Sequence, residues 1–417
     1  MATATLSNGL RIIFEPSTSE VTYCGYLVCA GTRHEESADA GMAHFLEHMT
    51  FKGTARRTSL QINNFLERVG GDLNAFTNKQ ETVYHATVLR RDVARAIDLL
   101  TDIVFHSTYP QSEITREVEV IVDEIDSYRD SPAELIFDEF EQMIFADHPL
   151  GRDILGTPER LRQYTTADAT RFAHRFYRPD NCIFYIYGQV DFARVLRLLQ
   201  KAHGATLVSQ ADMPDGDSFV RTPHPGETQP LAAPTALHRV VEKGTHQAHV
   251  MLGARTFGSN DPRRFALSLL NNMLGGPGAN SRLNTVVRER HGLVYSIDSY
   301  LNAYPDFGYW NAYFGCDAAD VARCLRLVKR ELRRFVERTL SAAQLRAAKA
   351  QLCGQIGISS DNKESYAMGL GKTFAHFGTH RNISALLEAF NAVTAEEIQQ
   401  LAAEIYDPER LCTLIYK

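Results

Sequence analysis

Two histidines and a glutamate stand within five residues of each other, at His44, Glu47 and His48. Apolar residues between Met42 and Met49 recur at the spacing of one helical stripe, so the pattern predicts an amphipathic helix with the polar trio on its other side. Histidines four residues apart lie one turn apart on a helix, where two imidazoles can bind one metal ion. We therefore predict a metal site for one zinc ion per chain, although manganese or cobalt also suits such ligands.

Glu47 is better placed as a base than as a ligand, because it lies between the two histidines on the same helix face. Catalytic zinc usually has three protein ligands and one open position for water. The metal lowers the pKa of that water, and a neighbouring carboxylate can accept its proton. The pattern His-x-x-Glu-His is typical of inverted zinc-peptidase helices. The alternative is an exposed polar face with two uninvolved histidines.

A third ligand must come from another segment, and residues 111–128 are the best source. Apolar residues of this segment form a buried helical stripe, and Glu113, Glu117 and Glu124 fall beside it within about 40° of each other. A carboxylate at the border of a buried face can point into a cleft. A solvated acidic face would give the same pattern. The spacing alone does not choose among the three glutamates.

Strand and helix patterns alternate around these segments in the first half of the chain. Period-two alternation, as in residues 82–89, predicts strands, and 3.6-residue periodicity predicts helices. Hairpin-like strand pairs mixed with helices indicate an α+β fold, in which helices pack on one side of a largely antiparallel sheet. The predicted strands are 8–15, 22–30, 72–78 and 82–89, and the predicted helices are 38–50, 58–69, 91–105 and 112–128.

The two halves of the chain end alike, with Tyr, Pro and an acidic residue before an apolar run after both Phe176 and Ile405, an offset of about 229 residues. We infer two homologous halves, although two similar strand ends can arise by chance. The predicted metal-binding catalytic domain is 1–205. A polar, Pro-rich linker spans 206–236. The domain 237–417 lacks the metal motif.

Composition narrows the class of protein. A net charge of −6 argues against a nucleic-acid binder, which normally carries a basic patch. No apolar run approaches the about 18 residues of a membrane span, and the first residues do not resemble a signal peptide. Seven scattered cysteines without a Cys-x-x-Cys pair indicate reduced thiols. We therefore expect a cytoplasmic protein without a membrane or nucleic-acid partner.

The segment His44–Thr54 (HFLEHMTFKGT) resembles the signature helix of the pitrilysin/insulinase family of zinc peptidases, to which the mitochondrial processing peptidase is related. The resemblance extends over nearly the whole chain. It implies a third zinc ligand 76 residues past the second histidine, which is Glu124. It also implies a supporting glutamate seven residues earlier, which is Glu117.

Two further segments resemble parts of the same family. Residues 70–77 (GGDLNAFT) resemble its active-site edge strand, which implies that Asn74, Ala75, Phe76 and Thr77 bind an extended peptide. Arg288 and Tyr295 resemble a family pair that holds the substrate carbonyl and stabilises the oxyanion. The alternatives are an ordinary glycine turn with a strand, and a helix-end arginine with a strand tyrosine.

The resemblance implies a zinc metalloendopeptidase that cleaves short or unfolded peptides, bound in extended form within a chamber. Long family members fuse four related domains, whereas this chain has room for two. We therefore expect a homodimer, with each metal helix facing the partner's Arg288 and the partner's Tyr295. A leader-sequence processing peptidase, a non-catalytic subunit and a metal hydrolase of small molecules are the alternatives. The intact set of His44, His48, Glu47 and Glu124 argues against a non-catalytic subunit.

Overall fold

The computed structural model describes residues 1–208, 231, 235–380 and 382–417. Most of the predicted linker 206–236 therefore lies outside the described residues. The strands are β1 (Ala2–Thr5), β2 (Arg11–Pro16), β3 (Val21–Val28), β4 (Asp72–Thr77), β5 (Thr82–Leu89), β6 (Cys182–Gly188), β7 (His238–Val241), β8 (Ala248–Phe257), β9 (Val294–Ala303), β10 (Phe307–Cys316) and β11 (Cys412–Tyr416).

The helices follow the predicted pattern closely in the first half of the chain, where the segments expected at 38–50 and 112–128 form α1 and α4. A π-helical segment, Asn284–Glu289, adds to the regular helices. The α-helices are α1 (Met42–Thr50), α2 (Ser59–Glu67), α3 (Val93–His106), α4 (Gln111–Arg129), α5 (Pro132–Ile144), α6 (Pro158–Leu161), α7 (Thr166–Phe176), α8 (Phe192–His203), α9 (Arg264–Gly275), α10 (Val321–Glu337), α11 (Ala342–Ser359), α12 (Lys363–Phe377), α13 (Ile383–Ala392) and α14 (Ala395–Ile405).

The chain folds into two compact units, and each unit combines segments that are far apart in the sequence. The described parts of Met1–Asp126, Arg152–Gln229 and Ser360–Arg381 form the first unit. The described parts of Ser127–Gly151, Pro230–Ser359 and Asn382–Lys417 form the second. Each unit thus takes most of one half of the chain and a short segment of the other. These units have other bounds than the predicted homologous domains, 1–205 and 237–417. That the two domains arose by duplication stays a prediction.

Both units contain a sheet in which five strands follow the same order, and the first sheet has β1 as an additional edge strand. The described strands of the first unit lie in the order β1-β2-β6-β3-β5-β4, and those of the second in the order β7-β11-β8-β10-β9. In each sheet one pair is parallel, β2 with β6 and β11 with β7, and the other neighbours are antiparallel. The α+β class is confirmed. In the first sheet, β4 is an edge strand, paired on one side with β5.

Each sheet buries both faces, because successive strand residues point to opposite sides. In the first unit, Tyr26, Tyr84 and Phe184 face a core shared with α1, α3, α4, α7 and α8. The alternate residues Leu27 and Tyr185 face α12. A single helix from the far end of the chain therefore covers the second face, which the prediction of helices on one side did not include.

The second unit has the reciprocal arrangement. One face of its sheet, with Trp310 and Phe314, packs against α9, α10 and α14. The other face, with Met251 and Leu414, packs against α5, which comes from the first half of the chain. Thus α5, from the first half of the chain, belongs to the second unit, and α12, from the second half, belongs to the first unit. We call this arrangement the exchange of α5 and α12. None of the described helices is both long enough and apolar enough to cross a membrane.

Candidate metal centre and active site

The N-terminus of α1 is fixed by a glutamate that precedes it. Gly41 occupies the N-cap position with φ 85°, a left-handed conformation that favours glycine. Glycine has no side chain that could cap the helix. The buried Glu35 carboxylate does so instead, and it accepts hydrogen bonds from Gly41 N at 2.9 Å and Ala43 N at 2.8 Å. Burial raises the pKa of Glu35 to about 8, although these two backbone donors oppose the shift. The cap sets where the helix that carries both histidines begins.

The two histidines of α1 and one glutamate of α4 converge in the first unit. The ligand atoms of His44, His48 and Glu124 all lie within 4.8 Å of one another. His44 Nε2 is 3.8 Å from Glu124 Oε1, and His48 Nε2 is 3.6 Å from Glu124 Oε2. The helix spacing of the histidines and the packing of α4 together create a cluster of two nitrogens and one carboxylate.

The separations in this cluster fit a shared metal ion better than direct pairing. Both nitrogen–oxygen distances exceed those of normal hydrogen bonds. In a tetrahedral zinc site with bonds of about 2.1 Å, neighbouring ligand atoms lie about 3.4 Å apart. Burial, followed by the nearby His48, lowers the pKa of His44 to about 3, which keeps this imidazole in the neutral form that binds metals. The donor set therefore fits zinc.

His48 is oriented by Glu117, which lies two turns before Glu124 on the same side of α4. His48 Nδ1 lies 2.9 Å from Glu117 Oε1. Because an ionised carboxylate only accepts hydrogen bonds, Nδ1 donates to it, which in the neutral ring leaves the lone pair on Nε2, the nitrogen nearer Glu124. Lys52 Nζ lies 2.5 Å from the other oxygen, Glu117 Oε2. Burial opposes the charged carboxylate, yet His48 and Lys52 hold the pKa of Glu117 below its usual value.

Glu47 faces the edge strand. Thr77, the last residue of β4, donates a hydrogen bond from Oγ1 to Glu47 Oε2 at 2.6 Å. Burial raises the pKa of Glu47, and the Thr77 hydroxyl and His48 partly oppose it. A carboxylate with a raised pKa is a better proton acceptor near neutral pH than an ordinary one. Glu47 thus lies beside the metal cluster, tied to the edge of the sheet.

The comparisons with known proteins agree with this geometry. The family model described as Insulinase (Peptidase family M16) matches residues 11–158, and the one described as Peptidase M16 inactive domain matches residues 163–352. The chain belongs to the M16 peptidase family. The family predicted from His44–Thr54 is therefore confirmed.

Curated relatives of this M16 chain match along nearly its whole length. An uncharacterized zinc protease of Mycobacterium leprae is 32% identical over 404 residues, which cover 96% of this chain and 88% of the relative. An uncharacterized zinc protease of Bacillus subtilis, YmxG, is 30% identical, covering 99% of this chain and 97% of the relative. Both names describe zinc proteases.

Two solved structures share the M16 fold. A protease from Helicobacter pylori superposes with a TM-score of 0.89 at 21% identity, covering 100% of this chain and 99% of the other. A peptidase M16 inactive domain from Pseudomonas fluorescens superposes with a TM-score of 0.84 at 19% identity, covering 100% and 97%. At these identities the likeness shows the fold alone.

The geometry of this M16 chain separates the three glutamates that sequence spacing left equivalent. Glu124 faces both histidines, and Glu117 contacts the far nitrogen of His48. Glu113 instead pairs with Arg116 at 3.0 Å. The roles of Glu124 as a metal ligand and of Glu117 as its support stay predictions.

The remaining predicted substrate residues lie along β4. Asn74 is exposed, and its Oδ1 accepts a hydrogen bond from Ala75 N at 2.8 Å. Because that amide bonds a side chain, it is not used in the ladder with β5. Phe76 is half-buried beside His85, with ring centroids 6.3 Å apart. The strand therefore brings Thr77 to the metal cluster and presents its outer edge at Ala75.

Arg288 and Tyr295 belong to the second unit, so the structure does not bring them together with the metal cluster inside one unit. Arg288 lies in the π-helical segment Asn284–Glu289, with its side chain 44% exposed. Tyr295 is the second residue of β9, and it is 88% exposed. A tyrosine this exposed makes few packing contacts, so its position is compatible with binding a ligand.

Sequence reasoning missed two residues that support the site, Glu35 and Lys52. Glu35 precedes α1 by seven residues and caps it through the loop, so no helical spacing marks it. Lys52 lies four residues after His48, just past the end of α1, and only the position of Glu117 on α4 shows its role. In the sequence, the only sign of Glu35 and Lys52 is that both are charged residues close to the His-x-x-Glu-His motif.

Proposed function

We propose that this M16 chain is a zinc metalloendopeptidase that hydrolyses short or unfolded peptides bound in extended form. The observation that carries the proposal is the convergence of His44, His48 and Glu124 beside Glu47, which is itself bonded to an edge strand. A metal-ligand set, a base and a strand edge for a peptide are the three parts that such a reaction needs. The relatives are named zinc proteases, which also supports the proposal.

The chain's own residues have distinct roles in this proposal. His44, His48 and Glu124 hold zinc, which when bound supplies a Lewis acid for the scissile carbonyl and lowers the pKa of water. Glu47 accepts the proton of the attacking water and later delivers it to the leaving amine. Thr77 holds the Glu47 carboxylate toward the end of β4.

The peptide would pair with the free edge of β4. An edge strand offers unpaired N–H and C=O groups, so an extended peptide can add as a further strand. Asn74, Ala75, Phe76 and Thr77 would contact its backbone and alternate side chains. Since Thr77 also bonds Glu47, a peptide in this register passes the proposed base as it leaves the strand.

The test is a Glu47→Gln substitution. We expect the variant to keep one equivalent of zinc and to lose about a hundredfold to ten-thousandfold of its peptide cleavage, because the proton acceptor is removed and the ligands are not. Zinc is measured by atomic absorption and cleavage with a quenched peptide library read by mass spectrometry.

A matched control is Glu113→Gln on α4, where the side chain pairs with Arg116 outside the cluster. It should retain both zinc and activity. Undiminished cleavage by Glu47→Gln, or wild-type protein that binds no zinc, would exclude the proposed function. Cleavage confined to one leader-like sequence would assign a processing peptidase instead.

A homodimer in the cytoplasm completes the proposal. Arg288 and Tyr295 are on the same polypeptide as the metal residues, so two copies of one chain contain two full sets. In that dimer, the partner's Arg288 and the partner's Tyr295 would stabilise the oxyanion. The scattered cysteines, without a Cys-x-x-Cys pair, support a reducing compartment.

A further inference from the structure

A cavity of about 420 Å³ lies in the second unit, at the C-terminal end of α10. Its volume is in the range of small-molecule sites. Phe335 and Leu340 supply apolar surface, and the charged groups that line it are Arg282, Glu331, Arg334 and Arg338. None of these residues has a part in the proposed peptidase reaction.

The positive charges around the cavity outnumber the negative ones. Glu331 is the lining carboxylate, and its side chain is 1% exposed. Arg334 already pairs with it, with Nη1 at 2.7 Å and 2.9 Å from the two oxygens, and Arg330 lies 3.7 Å from it outside the cavity. That carboxylate is therefore already paired with arginines of its own helix. Two guanidinium groups, those of Arg282 and Arg338, remain at the cavity.

Within the described chain, neither Arg282 nor Arg338 has an ion-pair partner. Arg282 is half-buried and lies with its guanidinium carbon 5.9 Å from the centroid of the Phe335 ring. Arg338 is the C-cap residue that follows α10, where the helix dipole favours a cation, so its position has an ordinary explanation. The helix dipole does not explain the position of Arg282, since this residue precedes the π-helical segment rather than following it.

The surroundings strengthen the local charge. The exposed face of α10 also carries Arg323, Arg326, Lys329 and Arg333. The whole chain has a net charge of −6, so this region is a local reversal of sign. A guanidinium fork matches the geometry of phosphate and carboxylate oxygens, and partial burial strengthens the attraction.

We infer that the cavity lined by Arg282, Arg334 and Arg338 binds a small organic anion of charge −2, a phosphate monoester or a dicarboxylate, with its apolar body against Phe335 and Leu340. The anion offsets the unpaired guanidinium groups of Arg282 and Arg338, and the ring and leucine cover its hydrocarbon part. This site is separate from the proposed peptidase function and does not depend on it.

The test is calorimetric titration of the full chain with phenyl phosphate, phthalate and inorganic phosphate at a fixed physiological salt concentration. Saturable binding is expected for phenyl phosphate or phthalate, with inorganic phosphate weaker by about tenfold because it lacks an apolar body. The stronger of the two organic probes assigns the phosphate or the carboxylate class.

Variants locate the binding. Arg282→Gln and, separately, Arg338→Gln should each weaken the organic probe by about tenfold. Arg326→Gln, which removes an exposed charge of α10 outside the cavity lining, should change the affinity by less than about twofold. Because Arg338 is exposed at a helix end, its variant folds even if Arg282→Gln does not.

Three results would overturn the proposal. One is the absence of saturable binding for both organic probes. Another is an equal loss in the Arg326→Gln control, which would show a diffuse charge effect. The third is equal affinity for inorganic phosphate, which would show that the apolar surface of Phe335 and Leu340 takes no part.

Discussion

Lys52 lies beside the proposed metal site without being one of its proposed ligands. Its ammonium group lies 2.5 Å from Glu117 Oε2, and the other oxygen of that carboxylate lies 2.9 Å from His48 Nδ1. The lysine neutralises a buried carboxylate and limits its rotation, so that Oε1 stays on the histidine. The orientation of His48 Nε2 therefore depends on a residue two contacts away.

We expect Lys52→Met to weaken zinc binding by about tenfold to a hundredfold, the usual effect of losing an outer contact that orients a metal ligand. Lys52→Arg should restore most of the affinity, since a guanidinium can also bond Glu117. The measurement is competition for zinc with a chelator of known affinity. Identical affinities for the methionine and wild-type proteins would remove Lys52 from this role.

At the residue scale, the sequence predicted the metal helix because one turn of α-helix fixes the spacing of His44 and His48. It could not choose among Glu113, Glu117 and Glu124 by spacing, since all three lie beside one stripe of α4. Only the folded chain shows that one of them faces both histidines, one contacts the far nitrogen of His48 and one pairs with Arg116. The resemblance to a family supplied what periodicity lacked.

At the scale of elements, the start of α1 depends on a close backbone approach. A Cβ on Gly41 would lie 2.7 Å from Leu155 O and 2.8 Å from Gly156 Cα, in addition to the strain of its positive φ. Gly70 has a similar φ of 72°, but a Cβ there would meet nothing within 4 Å. The two glycines therefore separate backbone strain from steric contact.

We expect Gly41→Ala to lower the free energy of unfolding by about 2 kcal/mol or more, and to reduce zinc affinity because α1 shifts. Gly70→Ala should cost only about 1 kcal/mol, the left-handed strain alone. Urea unfolding measures both variants. If the two substitutions lower the free energy of unfolding equally, the close approach of Gly41 to Leu155 and Gly156 does not contribute to stability.

A buried carboxylate ties α12 to the turn between β4 and β5. Glu81 lies 3.0 Å from Lys372 Nζ, 3.0 Å from His376 Nε2 and 2.6 Å from Asn78 Nδ2. Burial alone would raise the pKa of Glu81, but His376, Lys372 and Asn78 lower it to about 2. The ionised form is thus favoured by folding. The turn it stabilises directly follows Thr77, which holds Glu47.

The lowered pKa sets a direction for acid sensitivity. Since the unfolded pKa is about 4.3, this carboxylate stabilises the fold above about pH 5, on the order of 3 kcal/mol, and loses that contribution as the pH falls toward about 2. Glu81→Gln should be less stable at neutral pH, with a flatter decline over this window.

Urea unfolding at several pH values measures the effect. Glu20→Gln is the control, because Glu20 pairs with Arg90 at an exposed position and should leave the slope unchanged. A decline as steep in Glu81→Gln as in the wild-type protein would assign the acid sensitivity to other groups.

Local periodicity predicted most elements of the first half, and the repeated chain ends predicted two similar units, whose sheets share the order of five strands. It did not predict the exchange of α5 and α12. Both helices carry ordinary apolar stripes, such as Ile136 and Phe140 in α5 or Leu370 and Phe374 in α12. A stripe shows that a helix is packed and not which sheet it packs against, so this information exists only in the folded chain.

At the scale of the whole molecule, the proposed homodimer makes an unusual prediction about mixtures. Glu47→Gln and Arg288→Ala chains should each be inactive alone. When they are co-assembled, one proposed site per mixed dimer combines an intact Glu47 with the partner's Arg288, so activity should return to about half that of a wild-type dimer. Two affinity tags purify the mixed dimer. An inactive mixed dimer would place both residues of each site on one chain.

The exchange of α5 and α12 also governs the order in which the newly made protein can mature. The first unit contains the proposed metal site, but α12, the helix that covers the second face of its sheet, follows the last strand of that sheet, β6, only after most of the second unit has been made. Until the ribosome has delivered that helix, the apolar face with Leu27 and Tyr185 stays open to water or to a chaperone. A chain whose synthesis has not reached α12 therefore has no finished first unit around the proposed metal site.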